Sequence, residues 1–200
     1  MLKQPKQRRA QVTVDAIIEA GFICVAKHGV AGTTTRHIAD VAGCGVGTLY
    51  EYFANKEQIF EMMNQRFLKD VIELIEAVTP HIVPMQVEDG ALMLMQHFGE
   101  LLTRNQDRYL KVAKEVLHAD MDEYLNPIRD VLSKLVIQYL MHHPEYTRLP
   151  QLQTMSYIFI NAGILLVLNH LSMKNPPISY EELTGGLAEM IKQYVKHAFD

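Results

Sequence analysis

Between Thr35 and Lys56 the chain gathers the side chains that contact with a polyanion requires. Thr35 and Arg36 fall at the start of one expected helix, where a hydroxyl, a guanidinium and free backbone N–H groups can meet phosphate oxygens. Gly45 and Gly47 fall at the start of the next and carry no side-chain bulk, which lets a large partner approach the backbone closely. Thr48, Tyr50 and Tyr52 supply hydroxyls, and Lys56 places a point charge at the opening of a further helix.

The elements that must hold these residues follow from apolar periodicity. Ile17, Ala20, Gly21, Cys24 and Val25 share one face of a helix that Thr13 is expected to cap and Gly29 to stop. Two helices of about two turns come next, Arg36–Ala42 and Val46–Phe53, joined by Gly43-Cys44-Gly45; such a pair is a helix-turn-helix, whose second helix fits a major groove. The same spacing also suits a plain helical hairpin with tyrosines on its surface. Asn55 caps a long helix with the stripe Ile59, Met63, Phe67, Val71, Leu74, Ile75 and Val78, expected to end at Thr79-Pro80. Five further helices are expected beyond Pro84: 87–101, 110–117, one opened by Asn126-Pro127, 152–171 and 183–198. No stretch alternates with period two, so the chain is expected to be all-α with about nine helices, a three-helix module over 1–56 followed by a larger helical domain over 57–200.

The string TTTRHIADVAGCGVGTLYEYFANKEQIF, with Gly29 before it, resembles the DNA-binding domain of TetR-family transcriptional regulators almost position for position. The DNA-binding domain it belongs to covers about a quarter of the chain; the remainder fits that family by helical character and length. The resemblance implies a homodimer on an operator of approximate two-fold symmetry, dimerised through the two final helices. It also implies release of DNA by a small molecule in the C-terminal domain, repression being the family's usual mode. By motif position, Thr35, Tyr50, Tyr52 and Lys56 would contact phosphates, and Arg36, Val46, Gly47 and Thr48 would face bases, with Ile38, Ala39, Leu49 and Phe53 in the core. Two positions depart from the family pattern. Gly45 stands where a capping Ser is usual, and Val46 where a polar residue is common; valine can pack on a thymine methyl but cannot hydrogen-bond a base edge. Arg36 is then the best candidate for bidentate readout of guanine, worth about 1–3 kcal/mol of discrimination. The basic tail Lys3, Lys6, Arg8 and Arg9 is expected to raise non-specific affinity.

Charge is distributed to match. Residues 1–56 hold seven Lys/Arg against four Asp/Glu, a net of +3, while the other 144 carry −7. A basic module joined to an acidic one is a reason to look for nucleic acid at the basic end. Apolar residues make up 48% and charged residues 21%, which excludes a disordered chain. The longest apolar stretch, 158–171, is interrupted by Asn161, Asn169 and His170, and no signal peptide is read at the N-terminus. With only Cys24 and Cys44, no disulfide framework is expected, and a cytoplasmic setting fits free thiols.

In the larger domain ten methionines and seven of nine tyrosines suit either ordinary core or an adaptable apolar pocket. The candidate lining is Phe67, Met93, Phe98, Tyr109, Met121, Tyr124, Tyr157 and Asn161. Asn161, an amide in an apolar helix, needs a partner in a ligand, a backbone group or a water. The 152–171 helix is apolar nearly all round, so a partner subunit is expected to cover one side. His118, Asp120, Asp122, Glu123 and His142-His143 match no standard metal spacing, so no metal or other cofactor is expected. Nothing matches a phosphate-cradling loop, a nucleophile elbow or a metalloprotease helix, so the chain is not read as an enzyme. The alternatives to a small-molecule switch are a protein partner or modification of the Cys44 thiol in the turn.

Overall fold

The computed structural model describes residues 5–116 and 121–197. Among them are eight α-helices, one short 3-10 helix over Pro144–Arg148, and no strand. The helices are α1 Pro5–Gly32, α2 Thr35–Ala42, α3 Val46–Tyr52, α4 Lys56–Ile82, α5 Val87–Val116, α6 Met121–His142, α7 Leu152–Ser172 and α8 Tyr180–His197.

The chain divides into two compact units. One joins Met1–Phe67 to Arg104–Ala119, the other Leu68–Thr103 to Asp120–Asp200. In the first, the α1 stripe is buried as the periodicity requires, with Ile17, Ala20, Cys24 and Val25 all in the core. Gly21 belongs to that stripe because a Cβ there would come within 2.5 Å of the Met63 sulfur on α4. Ile38, Ala39 and Leu49, all 0% exposed, complete the core with Phe53. Local chemistry closes each short helix. Thr34 caps α2 by accepting from the His37 N–H at 3.2 Å, and Gly43, at φ 68°, ends it in the left-handed conformation. Asn55 caps α4 by accepting from the Gln58 N–H at 2.9 Å.

Several helix ends differ from the sequence expectation. α1 begins by Pro5, not at Thr13, because the lysines, glutamines and arginines before Thr13 are good helix formers. The Thr13 hydroxyl instead donates back to the Arg9 carbonyl. Gly29 does interrupt this helix, at φ 70° and ψ 170°, although helical turns resume to Gly32. α4 runs through Pro80 to Ile82, whose burial extends the apolar stripe one more turn. The expected segments 87–101 and 110–117 form the single element α5, broken by left-handed Asn105 and Asp107. Asn126-Pro127 lies inside α6 rather than opening it; Leu125 and Ile128, 4% and 2% exposed, carry the buried stripe across the proline. α8 starts at Tyr180, three residues earlier than periodicity indicated. Ser179 and Glu182 form a reciprocal capping box there, the Glu182 N–H donating to the Ser179 hydroxyl and the Ser179 N–H to the Glu182 carboxylate.

The second unit is built from the later part of α4, the first part of α5, and α6, α7 and α8. Tyr180 anchors α8 by donating its hydroxyl to the Met95 carbonyl, and Gly99 leaves the room this ring needs. Burial raises the Tyr180 phenol to about 12, which keeps that donor protonated. α7 is long and apolar enough, by length and composition, to cross a membrane, and only 22% of its most apolar stretch is buried within the chain.

Candidate nucleic-acid interface and apolar cavity

The helix-turn-helix candidates fall on both sides of the Gly43 turn. Arg36, Gly47, Tyr50 and Tyr52 are exposed, and Thr35, Val46, Thr48 and Lys56 are half-buried. The structure brings three of them into defined contacts. The Thr35 and Tyr50 hydroxyls lie 3.2 Å apart, tying the first turn of α2 to α3. Lys56 donates to the Thr33 carbonyl at 3.4 Å, and its ammonium lies 5.8 Å from the centre of the Phe60 ring, so its charge is held beside the start of α2. Gly47 has open space where a Cβ would stand, and a Cβ on Gly45 would meet only the Thr48 hydroxyl at 4.0 Å. Packing within the chain therefore does not account for glycine at Gly47. Gly45 makes no side-chain cap to α3, in keeping with the missing Ser.

Beside this surface, His28 stacks on His37 at 5.0 Å between ring centres. Arg66 pairs with Asp15 and Arg108 with Glu19, and the Arg108 guanidinium also lies 5.4 Å from the centre of the Tyr109 ring. Cys44 is half-buried in the turn, whereas Cys24 is enclosed, and burial foremost pushes its thiol pKa up.

The second unit contains a cavity of about 230 Å³. Each of its five helical segments contributes to the lining, for example Val71, Phe98, Leu132, Gly163 and Ile191. Of the described pocket residues expected from the sequence, only Phe98 lines it. Phe67 and Tyr109 pack edge to face at 5.4 Å, with Phe22 on the other side of Tyr109 at 5.0 Å; they are core of the first unit. Met93 is half-buried, and Met95 on the same helix lines the cavity instead. Tyr157 is 68% exposed. Asn161 accepts from the Arg129 guanidinium at 2.9 Å and donates to the Tyr157 carbonyl at 2.7 Å, so both ends of its amide are satisfied inside the unit. The side chains of Met121 and Tyr124 lie outside the described residues, as do those of His118, Asp120, Asp122 and Glu123. His143 contacts the Val83 carbonyl through Nε2 at 2.8 Å and Glu145 through Nδ1 at 3.5 Å.

Sequence reasoning missed most of the lining. The periodic stripe of α4 carried a signal, since Val71 and Ile75 belong to it and line the cavity.

A capped helix-turn-helix that leaves its second helix exposed is the arrangement of a DNA-binding module. Residues 17–63 match the family model for bacterial regulatory proteins of the tetR family. That match places a tetR-family DNA-binding domain over this part of the chain. Among curated relatives, it is 32% identical over 104 residues to the "Probable acrEF/envCD operon repressor" of Escherichia coli (strain K12), covering 50% of this chain and 47% of that protein. The chain thus spans about half the length of that relative. Another, the HTH-type transcriptional repressor KstR2 of Mycobacterium tuberculosis, is 28% identical over 141 residues, 58% of this chain and 70% of that one. Solved structures show the fold over nearly the whole chain. The fatty acid degradation regulator FadR from Bacillus halodurans superposes with a TM-score of 0.70 at 22% identity, covering 96% of each chain. SmeT, the repressor of the Stenotrophomonas maltophilia multidrug efflux pump SmeDEF, superposes with a TM-score of 0.66 at 20% identity, covering 92% of this chain and 89% of that one.

Proposed function

We propose that this protein is a cytoplasmic homodimeric repressor that binds a palindromic operator and is released by a small, largely apolar ligand. The observation that carries the DNA-binding part is the exposed, unfilled α2–α3 surface. Arg36, Gly47, Tyr50 and Tyr52 stand free over a completed core, and the Thr35–Tyr50 hydroxyl pair stiffens the surface. In this reading Thr35, Tyr50, Tyr52 and Lys56 position the phosphates, while Arg36, Val46, Gly47 and Thr48 face the bases. On the same reading the helix-turn-helix of the first unit reads DNA and the second unit senses the ligand; the units divide at Phe67, with Arg104–Ala119 in the first, rather than at residue 56. Dimerisation uses α7 and α8, where Tyr157, Ile158, Leu165, Leu166 and Met190 remain exposed within one chain. A second copy would cover the apolar sides of α7. Repression is supported by the curated relatives, each named as a repressor. The cavity supports an apolar effector.

Selection of genomic DNA fragments by the purified protein at two salt concentrations tests this reading. Phosphate contacts fade as counterions compete, so a few palindromic sites should survive the higher salt. Uniform enrichment that vanishes with salt would reduce the activity to non-specific binding. If the palindromes appear but no apolar molecule lowers operator affinity, the switch is a protein partner or the Cys44 thiol.

A further inference from the structure

We infer that the cavity of the second unit takes an uncharged ligand, with a hydrogen-bond donor such as an alcohol as its polar group, and rejects carboxylate anions. This rests on the proposal that the cavity is the effector site. Among the described residues that line it there is no Lys, Arg or His and no Asp or Glu. The polar side chains in the lining are Tyr139, Tyr146, Tyr194 and Ser156. Two of these have already spent their protons. Tyr139 donates its hydroxyl to the Met85 carbonyl at 3.0 Å, and Tyr194 donates its own to the Pro150 carbonyl. Each keeps only lone pairs to offer, and those accept hydrogen bonds; the Tyr139 oxygen shares its capacity with the Tyr146 side chain, while the Tyr194 oxygen offers the complementary acceptor. A ligand hydroxyl is the complement of such a group. A carboxylate would meet no cation among the described lining residues to offset its desolvation, and at Tyr139 and Tyr194 it would set lone pairs against lone pairs. Burial foremost, then the neighbouring Tyr146, pushes the Tyr139 phenol above its ordinary range, so that proton stays committed.

Size narrows the class further. An apolar cavity of about 150 Å³ is enough for a benzene ring. The 230 Å³ found here therefore suits a ring bearing a short chain, or a medium-length alkyl chain. Gly163 supplies the means to test occupancy. It lines the cavity in the middle of α7, and a Cβ placed on it would meet nothing within 4 Å. A larger side chain there fills free space and leaves the existing packing in place.

The test is calorimetric titration of the full-length protein with decanol, decanoate and decylammonium below their aggregation thresholds, near neutral pH. Decanol should bind at least roughly 100-fold more tightly than decanoate, the scale expected for burying an unpaired ion. Gly163→Leu should abolish decanol binding while helicity and operator binding persist; Gly163→Ala serves if the larger residue disturbs folding and should weaken binding in the same direction. Ser156→Lys, which adds a cation to the lining, should shift preference toward decanoate. If decanoate binds as tightly as decanol and Gly163→Leu removes both, the uncharged class is wrong and the effector cavity stands. If none of the three binds, or binding ignores both Gly163 variants, the cavity is not a ligand site and both readings fall.

Discussion

The α2–α3 surface and the α7–α8 surface are both exposed in the single chain, yet they leave opposite chemistry in water. On the first, Ile38, Ala39 and Leu49 are fully buried, and what remains outside is mostly polar, including a guanidinium, hydroxyl-tipped rings and bare glycine backbone, with Val41 as an exposed apolar side chain. Tyr50 is 51% exposed, with its hydroxyl engaged by Thr35. This surface is complete in water and suited to a hydrated, charged partner. On the second, the exposed side chains include Ile158, Leu165, Leu166 and Met190, the last 61% exposed. Such a surface is stable when another apolar surface covers it. Exposure alone therefore does not identify a binding surface. Under the proposed function, the kind of atom left outside is what suits one surface to phosphate and the other to a second protein chain.

The contrast is most easily broken at α7. Replacing Leu165 and Leu166 together by Asp should leave a folded monomer by analytical ultracentrifugation. It should also cost operator affinity by roughly 100-fold or more, because two linked reading heads bind with the advantage of effective concentration. A double variant that stays dimeric would remove α7 from the interface. Next in size is Leu49→Ala in the core beneath the reading surface. It should lower stability by about 2–5 kcal/mol in urea titration, the usual range for a buried leucine. Arg36→Ala should weaken operator binding by about 1–3 kcal/mol and relax specificity at one base pair. Tyr50→Phe should cost less, about 0.5–1.5 kcal/mol for one hydrogen bond. Operator affinity unmoved by both at fixed salt would sink the contact assignment.

Two smaller changes probe the turn and the last helix. Gly43→Ala forces a side chain into a left-handed residue and should cost about 1–2 kcal/mol of stability. The smallest effect is expected at Ser179→Ala. The Ser179 N–H and hydroxyl hold the exposed Glu182 carboxyl below the usual carboxylate range, the backbone bond being the larger cause. A lowered folded-state pKa contributes above the ordinary carboxylate range and is lost as pH falls through the folded value. Removing the hydroxyl should move the Glu182 titration upward in an NMR pH series, and an unchanged titration would show that the backbone bond acts alone.

Short-range signals made the reading half of the molecule legible. The Thr34 and Asn55 caps, the left-handed glycine at Gly43 and the apolar stripe of α1 are all written within a few residues of where they act. The same kind of signal at Ser179 and Glu182 was present and went unread, so α8 begins a turn earlier than periodicity alone indicated. Thr13 and Asn126-Pro127 carry cap signals that the fold overrides, because the helix continues through both.

The cavity belongs to the other category. Residue spacing sets which side of a helix is apolar, and on that basis Phe67, Phe98 and Tyr109 were equivalent candidates. Only packing separates them. Phe98 lines the cavity, while Phe67 and Tyr109 pack in the first unit beside Phe22. Likewise the apolar context of Asn161 demanded a partner without naming one, and the partner is Arg129, 32 residues away on α6. The sequence by itself determined the helices, the turn that joins α2 to α3 and the chemical types carried there, since these depend on neighbours along the chain. The tertiary structure alone decided which apolar faces meet and which space they leave empty, since that depends on helices whose mutual placement no local spacing encodes.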